Sequence, residues 1–249
     1  MPLLRDEIFV CVDCESTGLD PAKDRLVEVA AAQFSLSEVL EQYETLVDPE
    51  CPIPQASQDI HKISAEMLIG KPKAKEALPH VLKLMEGKIV VGHGIPFDIA
   101  LISAEAKRCQ IPTNVHSTRF FDTLRLARLY GESSVNSLDR LRQHFNIPAE
   151  GAHRAMNDVL VNIEVFKQLV KGFKTVDEVF KVLEKPIKMK TMPLGKHKGR
   201  KFEEIPLDYL LWAERKDFDQ DLLYSIRSEL KQRKRGGGFE QSSNPFAGL

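Results

Sequence analysis

A chain of 249 residues with 43% apolar and 29% charged residues is long enough for one sizeable core, or for a main domain and a small companion. Its 35 Lys and Arg against 36 Asp and Glu leave a formal charge of −1, so affinity for a polyanion would have to come from local patches or metal ions. No apolar run approaches the roughly 18 residues of a membrane span, and Asp6 and Glu7 stand where a secretory signal would stay apolar, which leads us to expect a cytoplasmic protein.

In chain order, Ile8–Asp13 is a short apolar run suited to a buried central strand. Leu26–Leu36 and Gln42–Val47 read as two further strands, and the short connections between the three predict a meander. The spacing of Leu78, Val81, Leu82 and Met85 predicts a helix over 75–85, followed by a strand at 88–91 and a helix over 97–109. A short strand running into a helix is expected at 120–130, then helices at 137–145 and 152–170, the last with Val159, Ile163, Phe166 and Val170 as its core stripe. This order describes an α/β domain around a mixed sheet, expected to occupy 1–173. A linker over 174–187, opening on a weak amphipathic helix, precedes a small basic module at 188–232 and a polar tail at 233–249 too poor in apolar residues to fold alone. Cys11-x-x-Cys14 lies in a strand, where residues three apart point to opposite faces. With no second pair to complete a site, both are expected to be buried thiols.

Asp13 and Glu15 are two residues apart at the first strand and so share a face. Two close carboxylates repel, and a divalent cation with a preference for oxygen would relieve that cost. The alternative is a solvated pair at a strand end. Asp98 follows the turn Gly92-His-Gly-Ile-Pro-Phe97 beyond another strand, and carboxyl ends of neighbouring strands converge on one crevice. Asp158 sits among Met156, Val159 and Leu160, where an acid could equally face water. His153 precedes it by five residues, an offset that does not share a helix face, so the histidine is expected on the preceding loop or the first turn.

Taken in order, these stretches resemble DEDDh exonucleases, the group containing the proofreading subunit of the bacterial replicative polymerase. Asp13-Cys-Glu-Ser-Thr-Gly18 resembles the first motif, His93-Gly-Ile-Pro-Phe-Asp98 the second, and His153-Arg-Ala-Met-Asn-Asp158 the third. Arg25-Leu-Val-Glu28, Ile60–Ser64, Phe121–Leu124 and Leu126–Arg128 match as well, so that the likeness covers about residues 6–170. Ser16 stands where the family usually has Thr, and Gly94 where it often has Asn.

The resemblance implies a ribonuclease H-like fold and two-metal hydrolysis at DNA 3′ ends, releasing nucleoside monophosphates, with two Mg²⁺ or Mn²⁺ held by Asp13, Glu15, Asp98 and Asp158. His153 would take the proton of the attacking water, for which an imidazole pKa of about 6.5 is suited. By the same likeness Ser16, Thr17, Leu19 and Phe97 would meet the terminal nucleotide, Leu19 as a wedge under its base. Phe97 serves equally well as core at a helix start. His93 and His61 are read as structural.

Lys185–Lys201 holds seven Lys or Arg and no acid, and Lys196, Lys198, Arg200 and Lys201 could neutralise phosphates; the bland alternative is a solvated turn. The module resembles the small C-terminal domain of exodeoxyribonuclease X. Trp212, in a Leu-rich helix, is expected in the module's core rather than as a base-stacking platform. Gln241–Phe246 is similar to a sliding-clamp-binding segment, which would make a clamp or polymerase a partner beside single-stranded or frayed DNA ends. Two other readings remain open: an exoribonuclease of the same fold, and a non-catalytic polymerase- or clamp-binding module.

Overall fold

The computed structural model describes residues 2–131, 135–148 and 154–236. The chain divides into two compact units, Met1–Val182 and Leu183–Leu249. No helix among the described residues is long and apolar enough to cross a membrane.

In the first unit β1 (Phe9–Ser16), β2 (Leu26–Phe34) and β3 (Val39–Leu46) pair antiparallel, which is the expected meander. β4 (Ile89–Gly92) and β5 (Phe120–Asp122) add in parallel on the other side of β1, giving a mixed five-stranded sheet in the order β3-β2-β1-β4-β5. β1 runs three residues beyond its expected end, so Asp13 and Glu15 both lie within the strand, and the pairing shifts only between Glu15 and Ser16. A shift of that kind re-aims the chain as it leaves the sheet.

The helices are α1 (Gln55–His61), α2 (Ala74–Met85), α3 (Pro96–Arg108), α4 (Thr123–Tyr130), α5 (Leu138–His144), α6 (Ala155–Leu169) and α7 (Val176–Leu183). Sequence periodicity does not reveal α1, because His61 alone among its seven residues is buried. Alternation along β1 sorts the core into two layers. Val10, Val12 and Cys14 face α2 and α3, meeting Leu78, Val81, Ile99 and Ile102. Phe9 faces α6, with its ring 5.3 Å from that of Phe166, which also meets Phe34 at 5.9 Å. Asp13 and Glu15 follow Phe9 and Cys11 onto the α6 side.

The expected linker at 174–187 starts too early. Leu4 N–H donates to Lys174 O at 3.0 Å, Val176 and Val179 are buried, and the Phe180 ring lies 4.4 Å from that of Phe121, so α7 belongs to the first unit. In the second unit α8 (Leu207–Ala213) and α9 (Gln220–Gly236) enclose a small core of Met192, Phe202, Ile205, Leu210, Ala213, Leu222, Ile226 and Leu230. Its boundary also precedes 188, since Ile187 N–H donates to the buried Asp221 carboxylate at 3.0 Å and Met189 N–H to Ser225 Oγ at 2.8 Å. α9 continues to Gly236, past the expected start of the tail, because Arg233 is held inward by Glu229 at 2.7 Å and by the carbonyls of Phe202 and Glu203. Gln241–Phe246 lies outside the described residues.

Candidate active site

Asp13 and Glu15 project from β1, and Asp158 stands in the first turn of α6. One carboxylate oxygen from each lies within 4.8 Å of the other two. All three residues are half-buried, so three like charges are brought together with part of their water removed. Burial, and then the charges of Asp98 and Asp158, hold the Asp13 carboxyl well above the usual range. Burial, followed by Asp158 and Glu28, pushes Glu15 up to about 7.

Asp98 arrives from the opposite layer. Pro96 opens α3 with its φ already helical, which places Asp98 in the first turn. There Asp98 is buried and accepts from the Cys14 backbone N–H and thiol, while burial holds its carboxyl above the usual range. It stands outside the triad, yet among charged groups it is the largest influence on Asp13. Asp13, Glu15 and Asp158, with Asp98 beside Asp13, present carboxylate oxygens, a donor chemistry that fits hard divalent cations. Burial raises the thiols of Cys11 and Cys14, in keeping with their expected structural role.

Glu28 was quoted from the sequence without a role, and the structure supplies one. It lies directly opposite Glu15 on the neighbouring strand and is 1% exposed. Its carboxylate accepts from Arg154 Nε at 2.9 Å, Arg154 Nη2 at 2.7 Å and the Ala155 backbone N–H at 3.0 Å. An acid from a strand thus caps the start of α6, the turn that carries Asp158. The available signal was an acid inside an otherwise apolar strand. His153 lies outside the described residues; Arg154, held by Glu28, is its immediate neighbour in sequence.

The loop after β1 holds Leu19 out, 88% exposed, as a wedge would require. Thr17 is used differently from the expectation. It is buried, its hydroxyl donates to Asp24 Oδ1 at 3.1 Å and accepts from Arg25 N–H at 2.9 Å, and its carbonyl accepts from Ser57 Oγ at 2.8 Å. These bonds make Thr17 a brace of the loop. Ser16 Oγ donates to Gly18 O at 2.6 Å. A Cβ at Gly18 would lie 2.5 Å from Asp24 Oδ2, so a larger residue there would displace the Asp24 side chain that holds Thr17 and Asp20 N–H. Phe97 is half-buried against the α2–α3 core layer.

Gly94 has φ 76°, a conformation favoured by Gly and, among the other residues, by Asn, and its N–H donates to Asp122 Oδ1 at 2.9 Å. His93 is pushed down to about 4 by burial and sits 3.1 Å from Thr123 Oγ1, while His61 is buried with Nδ1 accepting from Ile63 N–H at 3.0 Å. Both fit the structural reading.

In the second unit Lys196, Lys198, Arg200 and Lys201 are exposed on a loop closed by Met192 N–H to Arg200 O at 2.9 Å. Arg200 Nη2 also donates to Glu204 O at 2.8 Å, and Lys201 lies 3.6 Å from Glu203. Trp212 corrects the expectation of a core residue. It is 49% exposed, because α8 turns Leu210 and Ala213 inward and the indole outward.

The model of the exonuclease family matches residues 10–166, which include α3, nearly all of β1 and α6, and all four acids. The chain belongs to the exonuclease family. Over 169 residues it is 31% identical to the DNA polymerase III subunit epsilon of Aquifex aeolicus, covering 68% of this chain and 83% of that relative. It is also 31% identical over 193 residues to the PolC-type DNA polymerase III of Caldanaerobacter subterraneus subsp. tengcongensis, covering 75% of this chain but only 14% of that relative's length. Among solved structures, exonuclease I superposes with a TM-score of 0.61 at 21% identity, covering 71% of this chain and 43% of that one. Exonuclease X in complex with 5′ overhanging duplex DNA does so with 0.56 at 21%, covering 70% and 98%. These two likenesses speak for the fold of the exonuclease domain. A second model, described as a quorum-sensing-regulated virulence factor, matches residues 181–226.

Proposed function

We propose that this exonuclease hydrolyses DNA from the 3′ end, releasing nucleoside monophosphates in proofreading or repair, and that it uses two Mg²⁺ or Mn²⁺. The observation that carries the reading is the convergence of Asp13, Glu15 and Asp158 within 4.8 Å, with Asp98 buried beside them. Asp13, Glu15 and Asp158 would hold one cation, and Asp13 with Asp98 the second. When bound, divalent cations neutralise the scissile phosphate and lower the pKa of the attacking water. A ring nitrogen of His153 accepts the proton that the water loses. Glu28, through Arg154 and Ala155 N–H, keeps the first turn of α6 in place, so that Asp158 meets the two acids of β1. Exposed Leu19 props the terminal base, and the braced loop behind it resists being pushed aside. Further supports are the relative named subunit epsilon and the exonuclease X likeness with bound DNA. Lys196, Lys198, Arg200 and Lys201 would add a phosphate grip, and a polymerase or clamp is the expected partner of the proofreading form.

The test is a DNA strand labelled at its 5′ end. It should shorten stepwise from the 3′ end with Mg²⁺ or Mn²⁺, stop with chelator, and stop with Asp13→Ala. Shortening from the 5′ end, or an RNA strand trimmed faster than DNA, would overturn the reading.

A further inference from the structure

Outside the active site, the feature of greatest chemical promise is an aromatic ladder on the second unit. The His197 and Tyr209 rings lie 4.5 Å apart, edge to face, and Tyr209 lies 5.2 Å from Trp212. Lys216 Nζ sits 4.9 Å above the indole. The ladder therefore starts in the basic loop and ends on α8, with a cation at either end. Gly195, at φ 73°, makes room for it, since a Cβ there would fall 2.8 Å from the Tyr209 hydroxyl.

Trp212 is spare from the standpoint of folding. The unit's core closes without it, and Tyr209 already packs against that core from the same helix. Yet Trp212 is 49% exposed, with Leu207 at 48% and Leu211 at 37% on the same helix. An indole left in water forgoes burial that would stabilise the fold. At the indole itself the cation is Lys216, while at the other end of the ladder Arg200 lies 3.4 Å from His197 in the loop that also carries the exposed Lys196 and Lys198. Of the acids on or next to α8, Glu203, Glu204, Asp208 and Asp217 are exposed, Glu203 lying 3.6 Å from Lys201, and Glu214 lies 3.7 Å from Arg227. A half-exposed ring on the same small unit as a basic loop is a combination that can bind unpaired bases and the phosphates between them.

We propose that Trp212 is a stacking platform for an unpaired base, and that the second unit is thereby a single-strand nucleic-acid binding module. The inference rests on the reading that the chain acts on nucleic acid. Duplex is a poorer ligand for this surface, because its bases are already stacked on one another. Lys216 rests over the indole, which is tilted 43° to the Tyr209 ring, until a base arrives, and the lysines of the loop take the adjoining phosphates.

Trp212 is the chain's one tryptophan, so intrinsic fluorescence reports on it alone. The full chain in chelator, which prevents cleavage, is titrated with oligothymidylate while dye-labelled oligonucleotide reports total binding by anisotropy. Quenching should follow the anisotropy curve, and Trp212→Ala should weaken binding by about fivefold to a hundredfold while Trp212→Phe keeps most of it. Circular dichroism and melting of both variants should match the parent chain. Binding without any fluorescence change, equal affinity of Trp212→Ala, or no binding at all would overturn the proposal. So would a blue shift that grows with protein concentration in the absence of DNA, which would mean that a second copy covers the ring. The two readings fail separately: a chain that trims DNA with a silent Trp212 loses only the platform, and one that binds through Trp212 without ever cleaving loses only the exonuclease reading.

Discussion

Residues 1–182 carry 21 Lys and Arg against 26 Asp and Glu, whereas residues 183–249 carry 14 against 10. The two imbalances nearly cancel in the formal −1. In the first unit the acids that matter are gathered at strand and helix ends and partly dried, a costly arrangement unless a cation repays it. In the second unit the cations of the glycine-bearing loop stay in water, where they cost little and act at a distance set by salt. One unit concentrates its acids in a partly dried cluster, and the other leaves the cations of its loop exposed. Net charge reports neither.

The comparison is broken most forcefully at Asp13. Asp13→Asn should lower the exonuclease rate about a thousandfold or more, since several kcal/mol of cation-derived stabilisation is lost. The same substitution should leave metal-free thermal stability unchanged or higher, because it relieves repulsion. A large fall in stability would mean that the acids hold the fold and not a cation. Next comes Glu28→Gln, which keeps the shape but takes the charge away from Arg154 and Ala155 N–H. The rate should fall about ten- to hundredfold, as for other groups that orient metal-holding side chains, and Glu28→Asp should recover part of it. Equal rates for all three forms would remove Glu28 from the positioning of α6.

A third measurement uses pH. Glu15 is raised from 4.5 to about 7 in the folded chain, so the native state binds more protons than the unfolded one between those values. Stability in chelator should therefore fall as pH rises from 4.5 through 7, and Asp13 and Asp98 act in the same sense. Mg²⁺ or Mn²⁺ should flatten that decline by favouring the ionised carboxylates. Melting curves from pH 5 to 8 that show no slope, or the same slope with and without metal, would contradict the idea of a shared cation. The smallest effect belongs to the second unit. Replacing Lys196 and Lys198 with Gln should weaken DNA binding severalfold at low salt and reduce the salt slope by about one for each lysine removed. An unchanged slope would return the loop to a solvated turn.

The meander, the order of strands and helices and the acids at their ends were readable because alternation and helical spacing are local properties. So was the prediction that Asp13 and Glu15 share a face. Less visible was α1, in which one inward residue leaves no period to detect. The boundary between the units shifted because Val176, Val179 and Phe180 find their partners far back in the chain.

By itself the sequence determined which groups can do chemistry and roughly where along each element they stand. Only the tertiary structure decided which groups meet and which stay wet. Glu28 and Arg154 are 126 residues apart, and no local pattern announces their ion pair. Thr17 reads as a substrate contact until its hydroxyl is seen to be occupied by Asp24 and Arg25. Trp212 reads as core until the Leu-rich core proves to close without it. The physical reason is the same in each case. Periodicity names the face of an element, but burial and hydrogen bonding depend on what another part of the chain brings to that face.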